Sequence, residues 1–551
     1  MKDRGGLSPR IYWHIIVISA LLASSCVYVF LQHRALLKSL YLEGDLLIPE
    51  VQYEEEDGSN QNDSTNVNRQ TQQKKIEGDL LIPEVQYEEE DKSNQNDNTN
   101  VNMQTQQKKP MNILLLYADD WTAKTLGAAG NKVVKTPVLD KLAKEGVRFA
   151  ENCVTTSICW VSRATLYTGL YMARHNTTMP QEFFVNWKAC LYNLLKKHGY
   201  VVGHIGKLGI RGPFDKEKKP LDKDNVDTYV DDEDWHYKNI NDRLWHITEK
   251  NEHDSIMFLK NRNKTKPFFL NTAFYATHAV DGVESEQYYP QNRSMSMYRN
   301  VTIPTPVTGT QEAWNNMPDF FKESNEGRNR WHWRYDTPTK FQLMMKNYYR
   351  MASEVDSACG AIMEELRRQG ELENTLIIFT SDNGNFHGEH GLADKWYPHQ
   401  ESIRVPLIIK DPRMPVDKAG TVNEDLTLNL DLAPTILSAA GIQPPPEMMG
   451  RDMANLYLQE DPKWRNDFFY EHPMHTKKEF IPASEALVRK DYKYFFWPDY
   501  QLEQLFDLNN DPYEERDVIN ATKYKNILNG MRKRFTELKD IVHDMSKTVT
   551  L

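Results

Sequence analysis

The chain has 551 residues, 40% of them hydrophobic and 26% charged, which is enough apolar material for a sizeable core and for more than one structural unit. Its formal net charge of -11, with no basic run interleaved with aromatics, excludes a nucleic-acid-binding surface as the organising feature. Five cysteines exclude a dense disulfide scaffold; Cys153, Cys190 and Cys359 read as small buried apolar residues, with room for one bridge.

In chain order, Ile11 to Leu31 carries no formal charge and, as a helix, is long enough to cross a hydrocarbon core of about 30 Å. Lys2, Arg4 and Arg10 precede this run, against Arg34 and Lys38 after it. That bias favours a cytoplasmic tail at 1–10, a transmembrane signal anchor at 11–31 and a translocated body. The expectation is a single-pass type II membrane protein of the Golgi or cell surface, with a lumenal or extracellular catalytic part. Cleavage near Ala23, Ser24 and Ser25, giving a secreted or lysosomal product, is the alternative. Residues 43–75 and 77–109 are near-identical copies of a tandem 34-residue repeat, each with one short apolar patch followed by acidic and Asn/Gln-rich residues. Two such copies lack the paired amphipathic pattern needed to stack into a core, so 32–110 is expected to be a disordered stalk; a short docking peptide is the other reading. Asn-X-Ser/Thr acceptors at Asn62, Asn176, Asn263, Asn292, Asn300 and Asn520 all lie on the expected lumenal side.

The folded body opens with Asn112–Ala118, a nearly continuous apolar run that reads as a strand buried on both faces and ends in Asp119-Asp120. Tyr200–Ile205, Pro267–Phe274, Thr375–Thr380 and Val405–Ile409 read the same way, with helical patterns at Pro137–Glu145 and Lys346–Gln369 between them. Alternating strands and helices predict an α/β fold with a largely parallel sheet covered on both faces, whose ligands gather beyond the carboxyl ends of the strands. Those ends carry Asp119-Asp120 and Asp382-Asn383, a three-carboxylate, oxygen-rich set of the kind hard cations prefer; either pair alone also suits a helix cap. From about Asn455, aromatic runs such as Tyr492–Trp497 predict a small antiparallel sheet ending in a helix near 522–543.

The segment Thr156-Ser157-Ile158-Cys159-Trp160-Val161-Ser162-Arg163, continuing to Gly169, resembles the signature of type I, formylglycine-dependent sulfatases of the alkaline-phosphatase-like superfamily. Further pieces follow in that family's order: Gly206-Lys207, Ala276-Thr277-His278, Ser381-Asp382-Asn383-Gly384, His390-Gly391-Leu392 with Lys395, and Arg404-Val405-Pro406, closing with Asn510-Asp511-Pro512-Tyr513-Glu514. The resemblance implies a catalytic domain over 111–454, a C-terminal subdomain over 455–551, and hydrolysis of sulfate monoesters, with sulfated glycans the expected partners. It implies that a formylglycine-generating enzyme oxidises Cys159 to an aldehyde whose hydrate attacks sulfur. One Ca2+, in preference to Mg2+, would be held by Asp119, Asp120, Asp382, Asn383 and the modified Cys159. Arg163, Lys207 and Lys395 would supply fixed positive charge, and His278 a proton for the leaving oxygen. Such chemistry needs cations on the nonbridging oxygens and a proton donor, because a sulfate ester repels anionic nucleophiles and has a poor leaving group.

Two departures stand out. Val161 replaces the Pro, Ser or Ala usual two residues after the cysteine. Lys207 is followed by Leu208-Gly209-Ile210-Arg211 instead of a Trp-His pair, so either a subgroup manages without that histidine or a group such as Arg211, His387, His390 or His399 substitutes for it. Two other readings remain open: a phosphoesterase of the same fold, and an inactive sulfatase-like protein that binds glycans.

Overall fold

The computed structural model describes residues 110–179, 189–210, 225–232, 235–322, 324–544 and 546. The expected tail, anchor and repeat lie outside the described residues, as does Arg211. Among the described residues, no helix is long and apolar enough to cross a membrane.

Eight strands form the central sheet: Asn112–Ala118 (β1), Val147–Cys153 (β2), Val201–Gly206 (β3), Thr228–Val230 (β4), Phe268–Ala273 (β5), Thr375–Ser381 (β6), Leu407–Lys410 (β7) and Val422–Leu428 (β8). Their spatial order is β8-β2-β7-β6-β1-β5-β3-β4. All neighbours are parallel except β7, which runs antiparallel to both β6 and β2. The largely parallel α/β sheet expected from the apolar runs is therefore present. β1 and β6 lie in the middle with every residue buried, which is why they are the most apolar stretches of the body.

The two faces of β1 feed different cores, because successive side chains point to opposite sides of a sheet. Leu114, Leu116 and Ala118 join a cluster with Phe341, Tyr348, Val355 and Ile362, while Ile113, Leu115 and Tyr117 pack with Leu191, Leu432 and Ile436. The first group is covered by a helix at Pro338–Arg368, longer than the expected Lys346–Gln369 because it starts at Pro338 behind the Thr337 cap, whose hydroxyl accepts from Lys340 N.

Strands Asp467–His472 (β9), Ser484–Arg489 (β10), Tyr492–Trp497 (β11) and Leu502–Asp507 (β12) form the expected antiparallel sheet, and the last helix spans Lys525–His543. Asn455–Leu458 still packs beneath the large sheet, through Leu456 and Tyr457.

Candidate active site

The carboxyl ends of β1 and β6 are adjacent, because the two strands pair in register from Asn112 with Thr375 to Ala118 with Ser381. This brings Asp119-Asp120 against Asp382-Asn383, all four fully or almost fully buried. Asp120 N donates to Asp382 Oδ1 at 3.3 Å and Asn383 Nδ2 to Asp120 Oδ1 at 2.5 Å. Asp120 sits at φ 54°, a left-handed backbone that a short polar side chain tolerates and that concentrates at functional sites.

A helix over Cys159–Thr168 begins at Cys159 itself, after the extended residue Ile158. The thiol therefore stands at the positive end of the helix dipole, and Arg163, four residues on, lies on the same face. Arg163 is wholly buried. Its Nε donates to Asp382 Oδ2 at 2.8 Å, its Nη1 to the Lys207 carbonyl at 2.5 Å, and its guanidinium lies 4.8 Å from the Tyr117 ring centre. Val161 points away into the apolar core.

Lys207 follows β3, where Gly206 at φ 99° comes so close to the chain that a Cβ would lie 2.0 Å from the Ala273 oxygen. From there Lys207 Nζ donates to Asp119 Oδ2 at 2.5 Å. Lys395 Nζ donates to Asp120 Oδ1 at 2.5 Å, and it is flanked by Asp394 at φ 72° and Trp396 at φ 85°, so this segment too carries backbone strain. Trp396 N donates to the Ser157 carbonyl at 3.2 Å, which ties the lysine loop to the cysteine loop. His278 turns Nδ1 toward the Ala279 carbonyl at 2.5 Å, leaving Nε2 3.7 Å from Asp120 Oδ2. Every sequence-expected site residue is thus drawn into one cluster.

Three carboxylates face three cations here, so the cluster is close to neutral. Burial, then the neighbouring Asp382 charge, raises the Asp119 carboxyl above its ordinary range; burial also opposes ionisation of Asp120, but Lys395 and His278 hold its carboxyl lower. Burial pushes the Cys159 thiol up to about 11 although Lys207 and Lys395 favour its thiolate. As a thiol it is therefore almost entirely protonated near neutral pH and a poor nucleophile.

The sequence reading missed an outer ring. Asp394 Oδ1 lies 3.6 Å from Lys395 Nζ, and Arg330 Nη1 and Arg334 Nη1 both reach Asp394 Oδ2 at 2.8 Å. Asn385 Nδ2 also donates to Asp120 Oδ2, at 3.5 Å. Only the adjacency of Asp394 to Lys395 could have signalled this ring. Among the described residues, no hydrogen bond or ion pair joins His387, His390 or His399 to the Asp119, Asp120, Lys207 or Lys395 side chains. His387 packs 4.3 Å from the Tyr348 ring and lines a separate cavity of about 750 Å³ with Lys124, Tyr349 and Glu401. The His390 and His399 rings lie 5.0 Å apart, tilted by 48°, among Phe386 and Phe495. Gly209, at the position of that histidine, has φ 76°, and a Cβ there would lie 2.7 Å from Arg163 Cδ. The backbone itself is built for glycine at this point.

The family model for sulfatases matches residues 111–442, and a model for the C-terminal part of N-sulphoglucosamine sulphohydrolase matches 388–541. The chain is 26% identical over 500 residues to an N-acetylglucosamine-6-O-sulfatase of Bacteroides thetaiotaomicron, covering 80% of this chain and 88% of that one. A protein solved in complex with its substrate D-glucosamine-2-N,6-O-disulfate shares the fold at TM-score 0.70 and 21% identity, covering 80% of this chain and 100% of that one. A phosphonate monoester hydrolase from Silicibacter pomeroyi shares it at TM-score 0.67 and 19% identity, over 79% and 97% of the two chains. At such identities the solved structures speak for the fold alone. With a family model spanning most of the chain and that family's cysteine, lysines and strand-end carboxylates gathered at one site, the chain belongs to the sulfatase family of the alkaline-phosphatase-like superfamily and is a sulfuric ester hydrolase.

Proposed function

We propose that this chain removes sulfate from sulfated glycans at the pocket formed by Cys159, Lys207, His278 and Lys395, using a formylglycine made from Cys159 and one divalent metal, Ca2+ in preference to Mg2+. The observation that carries the reading is the balance of Arg163, Lys207 and Lys395 against Asp119, Asp120 and Asp382 around a thiol too basic to act unmodified. The residues fit a hard cation. Asp119 Oδ1 and Asn383 Oδ1 are buried acceptors with no hydrogen-bond partner, and ligand atoms of Asp119, Asp120 and His278 lie within 4.8 Å of one another. Asp119, Asp120, Asp382 and Asn383 would hold the metal, which when bound supplies Lewis-acid charge for the sulfate oxygens. Formylglycine supplies a hydroxyl nucleophile in place of the thiol.

The chain's own groups do the rest. Lys207 and Lys395 hold positive charge at fixed positions on the nonbridging oxygens, with no reorganisation required as the reaction proceeds. Arg163 orients Asp382 and the Lys207 backbone and thereby keeps the cluster in register. Nδ1–H of His278 is held by the Ala279 carbonyl, so Nε2 is the ring atom that faces the leaving oxygen and gives it a proton from the doubly protonated ring. The B. thetaiotaomicron relative's N-acetylglucosamine 6-sulfate activity supports an amino-sugar sulfate as the first substrate to try.

For location we propose a type II membrane protein anchored by Ile11–Leu31, meeting a formylglycine-generating enzyme in the secretory pathway. The asparagines of the five described acceptor sites, Asn176, Asn263, Asn292, Asn300 and Asn520, are all exposed, which supports a lumenal body. The decisive experiment expresses the full chain in a eukaryotic secretory host and weighs the tryptic peptide containing Cys159. The expected result is the mass loss of thiol-to-aldehyde conversion. A clean thiol, with a control sulfatase converted in the same cells, would overturn the mechanism and leave the glycan-binding reading in front.

A further inference from the structure

Three residues beyond His278, the chain turns outward and presents Asp281, whose side chain is 58% exposed. The loop that carries it is pinned at its base, where Val280 N donates to the Gln287 carbonyl at 2.9 Å and Gln287 is itself fully buried. Asp281 is held in a fixed pose. Arg330 Nη1 meets Asp281 Oδ1 at 2.6 Å and the buried Asp394 Oδ2 at 2.8 Å, while Arg330 Nε donates to Glu326 Oε1 at 2.7 Å. One guanidinium nitrogen therefore links the exposed carboxylate to the aspartate that adjoins Lys395. Burial works against ionisation of Asp281, but Arg330 and then His278 hold its carboxyl down at about 2, so it stands charged at the edge of the site. The Arg330 contact uses Oδ1 alone and leaves Oδ2 of this exposed side chain as a further acceptor.

Next to Cys159, the partly exposed Trp160 is fixed by its indole N–H to the Thr178 carbonyl at 3.0 Å, and the His475 ring of the C-terminal subdomain lies 5.7 Å from it. The segment next to Cys159 thus offers an aromatic face for the C–H side of a sugar ring, and the Arg330 bridge to Asp394 offers one carboxylate for its polar edge. A carboxylate accepts from a hydroxyl or an ammonium group, and it repels a second sulfate or a carboxylate.

We propose that Asp281, presented by Arg330, reads a free hydroxyl or ammonium beside the sulfated position of a pyranose and rejects substrates that carry a second anion there. This rests on the sugar-sulfate reading given above.

The test uses the secreted full chain with three probes: 4-nitrophenyl sulfate, which has no ring hydroxyl beside the sulfate, 4-methylumbelliferyl N-acetylglucosamine monosulfates at O3, O4 and O6, and the corresponding disulfates. The wild-type protein should prefer its best monosulfate over the disulfates at adjacent positions by at least about tenfold in kcat/KM, the scale on which a site built around a polar partner discriminates. Asp281→Asn, which keeps an acceptor and removes the charge, should shrink that preference at least about tenfold. Asp281→Ala should lower the monosulfate to aryl-sulfate ratio of kcat/KM by a similar factor. A wild-type preference for disulfates, or Asp281 variants that scale all three probes equally, would overturn the assignment while leaving the sulfatase reading intact. If the wild-type protein turns over aryl sulfate and no sugar sulfate, both the glycan reading and this one fall.

Discussion

At the ends of β1 and β6, three carboxylates share three cations and still leave Asp119 Oδ1 and Asn383 Oδ1 unfilled, whereas in the C-terminal sheet Lys493 and Glu514 form a closed pair. Lys493 Nζ lies 2.6 Å from Glu514 Oε1 and donates to the Pro398 carbonyl at 2.9 Å, and Glu514 Oε2 accepts from Gln400 N at 2.8 Å. Both groups of charge are buried, yet their wiring differs. The closed pair fastens β11 to the segment just beyond Lys395, each charge facing its opposite and a backbone group. The open cluster pays its desolvation cost without completing its contacts, and the proposed metal and sulfate would supply the missing partners.

The contrast can be broken or sharpened by experiment. Cys159→Ala should reduce kcat by at least about 10³-fold while leaving the thermal midpoint nearly in place, as steady-state kinetics and scanning calorimetry on the same sample would show. Lys395→Ala should cost about 10² to 10³-fold in kcat, with a smaller stability loss than a closed pair would suffer, because Asp120 keeps Asn383 and Asn385 as donors.

For the closed pair the order reverses. Lys493→Met should destabilise by about 3–5 kcal/mol in urea unfolding, because Glu514 is left as an uncompensated buried charge, and adding Glu514→Gln should recover most of that loss. If Lys493→Met instead leaves stability unchanged, the pair is not the fastening it is taken to be. For the open cluster, calcium at 100 times its dissociation constant should stabilise the wild-type protein by about 2.7 kcal/mol and should do nothing for Asp120→Asn combined with Asp382→Asn.

The smallest effect lies outside both clusters. His175 is fully buried, with its ring nitrogens 3.1 Å from Thr165 Oγ1 and 3.2 Å from Thr177 N, and burial lowers its pKa to about 3. The unfolded chain takes up that proton near pH 6.5, so the folded state loses ground as pH falls from about 6.5 toward 3. Between pH 6.5 and 5, the stability difference between wild type and His175→Gln should narrow by about 2 kcal/mol, read from urea titrations at both values.

How much of this was legible in the residues depended on what each one was buried against. β1, β5 and β6 are sealed on both faces and so read as largely apolar runs. β2 alternates buried residues with the half-buried Arg148 and Glu151, and β8 begins as an exposed edge with Val422 and Glu424, so neither carried that mark. The site was readable because its cysteine, arginine, lysine and histidine segments resemble a known family's motifs in that family's order, whereas the strand-end aspartates alone suit helix caps as well. Arg330 and Arg334 reach Asp394 from a helix far away in sequence, and no spacing could announce them. The histidine absent after Lys207 was noticed, but only the three-dimensional backbone shows that Gly209 leaves no room for a side chain there.

Cys159 is 8% exposed, and the helix it opens is buried at every residue except Trp160. In the finished molecule, no second protein could take hold of the residues on either side of that thiol. Any enzyme that oxidises it has to meet the chain before the helix packs against the sheet, during synthesis and translocation. For the oxidation proposed above, this makes maturation a step with a single opportunity: a molecule that folds first keeps its thiol, and the converted fraction of a preparation is set by biosynthetic timing.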